Sequence, residues 1–467
     1  MRNSISFIAA AGLLAACAGS SAYHAPAAAI ATAYPATQSA QLRVAVTTAP
    51  FWQEIGDTTL SALVTEALRN GTTVHLAEAR LDATRASRRL SAFDLAPTVT
   101  ASGSALRMRQ SIAQIPGLVN QLPQENLYDV GFDATWELDL FGRVRRNVSA
   151  QSALVASAEH SLEDVRVSLA AEVARTYFEL RGAQRQLAVA LRNSDVQRKT
   201  VALTEDRLAA GRGTAFDVER AKSILQLTLA TVPAFRTQIA SGQYRMAVLM
   251  GRAPEAVPSE LLADGPLPQL PESVTVGSPR EVVRRRPDVL AAERQVAAQS
   301  LSAGVAQAEY LPHFALGASA GYTANRIESL TRTGTSRILL GPVVSFPLLD
   351  LGRVRERVSF AKAQQDEAET QYTTTVLRAV EEVETAIVAY DRAHERLGIL
   401  ESAVKSSAKA AQLAQERFEA GLTDFLQVLD AQRTQIDAEN LLATAHTTAA
   451  TSLVAVYKAA GGTWTIP

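Results

Sequence analysis

Cys17 is the only cysteine among the 467 residues, and the sequence around it indicates chemistry on its thiol. Arg2 supplies a positive charge, residues 5–16 are apolar, and Leu-Ala-Ala leads directly into the cysteine, as in a bacterial export signal that ends in a lipobox. A single cysteine cannot form an intrachain disulfide. We therefore predict cleavage before Cys17, with diacylglycerol on its sulfur and an acyl chain on its amine. The alternative is a soluble export signal with a chance cysteine.

A second motif, Gly-x-Ser-x-Gly at residues 317–321, has the spacing of a serine-hydrolase nucleophile elbow. An elbow requires a sharp turn from strand into helix, whereas strand-like alternation here continues through Ser319 to Tyr322. The six histidines are scattered, and His394-Glu395 lacks the second histidine of a zinc helix. We predict no enzyme, no metal site and no cofactor beyond the covalent lipid; a hydrolase would lose its activity when Ser319 is changed.

The composition favours long packed helices over a layered α/β core. Aromatic residues make up only 6% of the chain, alanine recurs throughout, and charges of both signs are interspersed. The net charge of -1 lacks the clustered basic excess of a nucleic-acid-binding protein. We therefore exclude nucleic acid as a partner.

The chain contains two similar halves. Leu-Asp-Leu-Phe-Gly-Arg-Val-Arg at residues 138–145 recurs loosely as Leu-Leu-Asp-Leu-Gly-Arg-Val-Arg at residues 348–355, an offset of 210. Residues 207–211 and 417–421 match at the same offset. Two separate matches at one offset indicate a duplication rather than chance.

Prolines mark the seam between the two halves. Pro97 and Pro312 correspond at an offset of 215, which indicates a small length difference in one loop, and prolines crowd the segment that joins the halves. The predicted division is a signal peptide at 1–16, a lipidated tether at 17–50, a first repeat at 51–250, a Pro-rich connector at 251–278 and a second repeat at 279–467.

Each half is predicted to contain a helix, two strands and a long helical hairpin. The most regular strand pattern covers residues 128–140, where apolar residues alternate strictly with acidic or small ones. A proline-free helix from about residue 143 to 208 could extend about 100 Å, and Gly211 and Gly421 suit the turns that follow such helices. The predicted first helices are 58–92 and 279–309, and the other strands are 99–108, 314–323 and 338–348.

Strands with one apolar and one polar face fit a membrane barrel. Four strands cannot close, and an open edge in lipid leaves backbone groups unsatisfied. Two copies would give eight strands and a packed interior, whereas three copies would give twelve strands and a lumen, which the acidic face favours. We predict a mainly α fold with membrane β: a trimeric twelve-stranded outer-membrane β-barrel continued by a long periplasmic α-helical barrel, built from an internal duplication.

Arginines cluster just beyond the second strand of each half. Their long side chains could reach the phosphates of lipid headgroups, although an ordinary solvated first helical turn would look the same. The residues are Arg143, Arg145, Arg146, Arg353, Arg355 and Arg357.

Several motifs in one order resemble the TolC-like outer membrane factors, specifically the NodT-type lipoproteins of RND efflux systems. The resemblance covers essentially the whole mature chain. It implies a homotrimer in the outer-membrane lipid that conducts small molecules, a periplasmic adaptor (membrane fusion) protein at the tube tip, and an inner-membrane RND transporter. The motifs lie at residues 14–17, 139–143, 177–180, 285–289, 292–293, 421–426 and 429–433.

The resemblance also implies where the tube is closed and where the adaptor docks. Beside the second turn, Asp424 and Asp430 are gate candidates, with Thr423 where other family members have an acidic residue or an arginine. A helix N-cap for Asp424 and interhelical contact for Asp430 are the alternatives. Arg207, Gly211, Arg417 and Gly421 are adaptor-contact candidates, against a plain interaction of each cation with a helix C-terminus.

Two other functions share parts of this pattern. A type I secretion duct for polypeptides would use the same architecture, and the lipobox favours efflux over it. A periplasmic coiled-coil tether would have no use for strands with one apolar and one polar face, which argues against that class.

Overall fold

The computed structural model describes residues 42–44, 51–109, 111, 124–268, 270–271 and 274–462. The described chain separates into two compact units. The sheet unit contains Arg80–Glu159 and Ala291–Thr373, and the hairpin unit contains the remaining described residues.

Helices dominate both units. The helices are α1 Phe51–Glu54, α2 Thr58–Asn70, α3 Thr72–Phe93, α4 Arg143–Ala209, α5 Ala215–Leu249, α6 Pro279–Arg285, α7 Pro287–Ala308, α8 Leu351–Glu419 and α9 Phe425–Ala459. The strands are β1 Leu42–Val44, β2 Thr98–Met108, β3 Glu125–Glu137, β4 Val274–Val276, β5 His313–Ala324 and β6 Ser336–Ser345. In the part of the chain that is described, no helix is both long enough and apolar enough to cross a membrane.

The two predicted first helices are each broken in two, which corrects the sequence prediction. Gly71 ends α2 with an extended backbone (φ −63°, ψ 127°), and a Cβ there would lie 2.8 Å from Leu169 of α4. Arg286 ends α6 with ψ 123°, because the ring of Pro287 disfavours helical geometry at the residue before it. The first break thus lies at a glycine with no room for a side chain, and proline sterics cause the second.

The long helices agree with the prediction. α4 has 67 residues and α8 has 69, and α4 begins within a residue of the predicted start. Gly142 has φ +75° and Asp139 has φ +41°. The Asp139 carboxylate accepts hydrogen bonds from the N–H groups of Val144 and Arg145, both at 2.9 Å, which satisfies backbone donors that a helix start leaves free.

The core of the hairpin unit is built around the Tyr-Phe-Glu-Leu motif. Tyr177 and Phe178 are almost completely buried, and the Tyr177 hydroxyl donates to Asp57 at 2.8 Å. A Cβ at Gly182 would overlap the side chain of Thr447, so α4 and α9 approach closely there. Burial is the leading cause of the raised pKa of Tyr177. This motif is therefore a packing feature.

The connector is tied to α4 and to the N-terminal segment. Arg181 is 5% exposed and donates to the carbonyls of Ala263 and Glu260 at 2.9 and 3.1 Å. β1 pairs in parallel with β4, so the predicted tether contains a folded strand. The connector is thus fixed in place, although its sequence predicted only an extended linker.

The sheet unit holds a four-stranded antiparallel sheet in the order β2-β3-β5-β6. β3 and β6 end three residues earlier than predicted, since the predicted ends were Leu140 and Leu348. For β3 the reason is the positive φ of Asp139, which turns the chain into the helix cap. Pro342 lies within β6, an edge strand, which tolerates a residue that cannot donate a backbone hydrogen bond.

Candidate functional sites

The first hairpin turn joins α4 to α5. Gly211 has φ +70°, the left-handed conformation that favours glycine, and the Arg212 N–H donates to the Arg207 carbonyl at 2.8 Å. Thr214 caps α5 in a capping box with Asp217, each side chain accepting from the other's backbone N–H. The predicted turn glycine is confirmed, and Thr214 is the N-cap of α5.

The second turn has the same backbone but a simpler cap. Gly421 has φ +72°, and the Leu422 N–H donates to the Arg417 carbonyl at 2.9 Å. The Asp424 carboxylate accepts from the Gln427 N–H at 3.1 Å. Asp424 therefore serves as a helix N-cap, the alternative stated for it, and its gate role stays a prediction.

The two hairpin ends meet through a pair of phenylalanines. The rings of Phe418 and Phe425 lie 5.3 Å apart and pack on Ala221 of α5. The Arg207 guanidinium lies 4.1 Å from the centre of the Phe418 ring, whereas Arg417 is exposed. No described residue forms an ion pair with Arg417. The two arginines occupy equivalent positions in the repeats, but one stacks on an aromatic ring and the other is exposed.

Phe418 was missed by the sequence analysis. It occupies the position of Leu208 in the first repeat, and only the fold shows that it lies under Arg207. A shallow cleft combines both turns, and it includes Gly211, Gly213, Thr423 and Asp424. The cleft thus brings Thr423 and Asp424 of the second turn together with Arg207 and Gly211 of the first, and it does not include Arg417, Gly421 or Asp430.

Asp430 lines a different groove, of 440 Å³, between α4, α5 and α9. Its carboxylate is exposed and has no ion-pair partner among the described residues. Arg433 on the next turn lies 3.9 Å from Asp437. Asn193 and Gln197 of α4 are buried in this groove, and amide groups of both lack a hydrogen-bond partner within the described chain. The groove is therefore polar at its base and charged at its mouth.

A polar network crosses one face of the sheet. Arg337 of β6 reaches over Gly321 of β5 to Asp129 of β3, with nitrogen–oxygen distances of 2.9 and 2.8 Å. Thr323 donates to the same carboxylate at 2.6 Å, and Ser319 bonds to Arg337. Ser319 lies within the continuous strand β5, so the Gly-x-Ser-x-Gly motif forms no elbow, as predicted.

Most of the arginines that follow the second strand of each half form ion pairs or hydrogen bonds with residues of the same chain. Arg143 pairs with Glu137, Arg145 with Asp139, Arg353 with Asp350 and Arg357 with Glu309, and Arg146 donates to the Phe141 carbonyl. Of the six, only Arg355 is without such a partner among the described residues. This favours the alternative that they brace the first helical turn over the prediction that they extend to lipid phosphates.

The Arg-Arg-Pro-Asp motif builds a charge cluster around one buried arginine. Arg286 is 7% exposed and donates to Asp288 and Glu382 at 2.7 Å each and to the Ala459 carbonyl at 3.0 Å. Burial lowers the pKa of Arg286, but the two carboxylates outweigh it and raise the pKa above its usual range. The cluster joins the start of α7 to α8 and α9.

Cys17 lies outside the described residues, so its acylation is untested. Within the described ranges, no group of histidine and carboxylate side chains could hold a metal ion.

Comparison with known proteins gives a consistent result. The family described as "Outer membrane efflux protein" matches residues 63–252 and 279–462, one match per repeat. Outer membrane protein OprJ of Pseudomonas aeruginosa is 30% identical over 97% of this chain and 94% of its own, and nodulation protein T of Rhizobium leguminosarum bv. trifolii is 28% identical over 83% and 82%. The solved outer-membrane channel OprN superposes with a TM-score of 0.90 at 37% identity, covering 96% and 99% of the two chains. These matches confirm the predicted family, fold class, outer-membrane location and efflux function.

Proposed function

Since this chain belongs to the outer membrane efflux protein family, we propose that it is the exit duct of a tripartite system. Small molecules would pass passively from an inner-membrane RND transporter, through a periplasmic adaptor protein, to the outside. The observation that carries the proposal is the sheet, which has one apolar face, one polar face and, within the described residues, two open edges.

The apolar face is suited to lipid. Phe132, Ile338 and Leu340 are 62%, 83% and 67% exposed, and the register places them on the same side of the sheet. Side chains of this kind gain free energy in hydrocarbon, at about 25 cal/mol per Å² of apolar surface. The opposite face carries Asp129 and Arg337, which suit a water-filled lumen.

The open edges require further copies of the chain. β2 and β6 each pair on one side only in the described chain, and unpaired backbone groups in lipid cost several kcal/mol each. Three copies with four strands each would close a twelve-stranded barrel with a lumen. A homotrimer is therefore the proposed assembly.

Acylation of Cys17 is proposed as a second attachment to the outer membrane. The support is the Leu-Ala-Ala-Cys sequence after a short apolar stretch. Two attachments hold a protein to a membrane more firmly than one lipid chain alone.

The two hairpin turns are the proposed adaptor site. Arg417 is the stronger candidate, because it is exposed and unpaired within the described chain, whereas Arg207 already stacks on Phe418. We expect charge reversal at both arginines to abolish pump-dependent resistance while trimers stay at wild-type abundance. Charge reversal at the exposed Arg236 of α5 is the control. Unchanged resistance in the Arg207→Glu/Arg417→Glu variant would remove this assignment.

The channel itself is tested by the conductance of the purified full chain in planar bilayers, together with its mass in detergent. We expect a conducting particle with the mass of three copies. A non-conducting monomer would overturn the proposed function.

A further inference from the structure

Three carboxylates follow one another along the polar face of β3. Asp129, Asp133 and Glu137 are spaced four residues apart, so they lie on the same side of the strand and about 13 Å from one another. This is the face that the proposed function assigns to a water-filled lumen. Each carboxylate therefore adds its charge to the wall of the duct unless a cation neutralises it.

The first and the third of these carboxylates are neutralised by arginines. Arg337 of β6 donates to both oxygens of Asp129, at 2.9 and 2.8 Å. Arg143 donates to both oxygens of Glu137, at 3.0 and 2.5 Å. Two-pronged pairs of this kind are strong and hold one geometry, so neither carboxylate leaves a net charge on the face.

Asp133, between them, has only hydroxyl partners. The Ser102 hydroxyl donates to its carboxylate at 2.9 Å, and the residues opposite it in the neighbouring strands are Thr100 and Ser319. Leu339 of β6 completes this row of the described sheet, and Asp133 has no ion-pair partner within the described chain. Hydroxyl groups hold a carboxylate in place without cancelling its charge.

The strand register explains why Arg337 serves Asp129. Arg337 stands opposite Gly321 of β5, and Gly321 stands opposite Gly131 of β3. No side chain of these two residues lies in the path of the arginine, which reaches β3 at the level between Asp129 and Asp133 and pairs with Asp129. Two carboxylates and one guanidinium leave one negative charge per copy at this level.

We propose that Asp133 is a specificity-determining residue of the duct. The inference rests on the trimer of the proposed function, in which three copies of Asp133 form a ring of uncompensated charge inside the barrel. The ring hinders small anions relative to neutral or cationic molecules of the same size, as rings of carboxylates do in ion channels. It is distinct from the gate candidates Asp424 and Asp430, which belong to the hairpin unit.

The first experiment measures the reversal potential of the purified full chain in planar bilayers under a gradient of potassium chloride. Asp133→Asn keeps the size of the side chain and removes its charge, so the ratio of potassium to chloride permeability should fall about threefold near 0.1 M salt. Near 1 M salt, where the screening length is about 3 Å, the difference should nearly vanish. An unchanged ratio near 0.1 M salt would overturn the proposal.

Glu125→Gln is the matched control. It removes a carboxylate from the same face of β3 at the far end of the strand, opposite Met108. The permeability ratio should change far less in this variant, because a charge at the open mouth is screened by the bulk solution. An effect as large as that of Asp133→Asn would place the selectivity at the mouth and remove the role of Asp133.

The second experiment changes the cation instead of the carboxylate. Arg337→Gln leaves Asp129 as well as Asp133 uncompensated, so the permeability ratio should rise, whereas Arg337→Lys keeps the charge and should keep the ratio. The mass of each variant in detergent shows that the trimer is intact. A fall of the ratio in Arg337→Gln, or an equal change in both variants, would contradict the charge balance on which the proposal depends.

A third measurement separates the ring from the predicted gate. In an Asp430→Asn background, Asp133→Asn should lower the ratio by the same factor as in the unchanged chain, because the two residues lie in different units. The absence of a further fall would assign the selectivity to the gate. If the unchanged chain does not conduct, the proposed function fails; if it conducts and Asp133→Asn has no effect, only this inference fails.

Discussion

The two junctions between strand and long helix come from one repeated motif, but they are held in different ways. At the first, the Asp139 carboxylate accepts from two N–H groups of α4, and Phe141 packs on Phe314. At the second, Leu349 stands at the position of Asp139 and is fully exposed, and Leu348 is 65% exposed. The first junction is completed within the chain, whereas the second presents an apolar surface. A repeated motif therefore need not repeat its contacts, because its neighbours depend on the position in the assembly.

The hairpin ends differ in a similar way. Arg207 stacks on an aromatic ring from the second repeat, and Arg417 remains exposed. At the strand–helix junction and at the hairpin turn alike, residues of the second repeat cover the first repeat. The equivalent residues of the second repeat stay exposed.

The largest expected effect concerns the break between α6 and α7 in the second repeat. Arg286→Ala should lower the free energy of unfolding by about 1.5–3 kcal/mol, because it removes the charge-assisted hydrogen bonds that the guanidinium donates to Asp288 and Glu382. The neighbouring exposed Arg285→Ala should change it by less than about 0.5 kcal/mol. Urea unfolding followed by circular dichroism compares the two variants. Equal stability of both would show that the cluster is not an anchor of the second repeat.

At the junctions, Asp139→Ala should destabilise the chain by about 1–2 kcal/mol through loss of the helix cap. Leu349→Ala at the equivalent position should leave the stability of the isolated subunit unchanged and weaken only its assembly. Thermal unfolding and native mass of the two variants separate these effects. A loss of subunit stability for Leu349→Ala would contradict the difference drawn between the junctions.

At the hairpin caps, Thr214→Ala and Asp424→Ala should each cost about 1 kcal/mol of stability. Asp424→Ser keeps a capping oxygen and removes the charge, so its stability should be close to that of the unchanged chain. Single-channel conductance of Asp424→Ser then tests the gate assignment without a folding defect. Conductance equal to that of the unchanged chain would leave Asp424 as a cap alone, and Asp430→Asn would then be the remaining test of the predicted gate.

The smallest effect depends on pH. Burial, with a further contribution from Arg185, lowers the pKa of His446 on α9. The unfolded chain then binds a proton more readily than the folded one, so stability is full above the unfolded pKa, near 6.5, and is lost as the pH falls below it. His446→Gln should reduce the change of the unfolding midpoint with pH between about pH 7 and 5. The equivalent first-repeat variant, Arg236→Gln, should keep the pH dependence of the unchanged chain.

Much of this architecture could be predicted from the sequence. The duplication, the alternating pattern of residues 128–140 and the proline-free run after residue 143 depend on local spacing, so strands, long helices and turn glycines were identified with ends accurate to a few residues. The break at Gly71 was not predicted, because a single glycine inside a helical pattern is tolerated, and only the fold shows that Leu169, about a hundred residues away, packs against this position.

The candidate sites also contain features that the local sequence predicts and contacts that only the fold shows. Gly211, Gly421, Thr214 and Asp424 occupy the turn and cap positions that their side chains and backbone preferences indicate. The stacking of Arg207 on Phe418 joins residues more than two hundred positions apart, and the path of Arg337 over Gly321 to Asp129 depends on strand register. No local pattern specifies either contact.

The sequence by itself determined the repeat, the periodicity of each element and the residues at which elements start and stop, because these follow from side-chain spacing and backbone preference along a few consecutive positions. Only the tertiary structure decided which of two equivalent residues is covered and which is exposed. Arg417 differs from Arg207 through what packs against it, and packing is set by the whole fold rather than by neighbours in the chain.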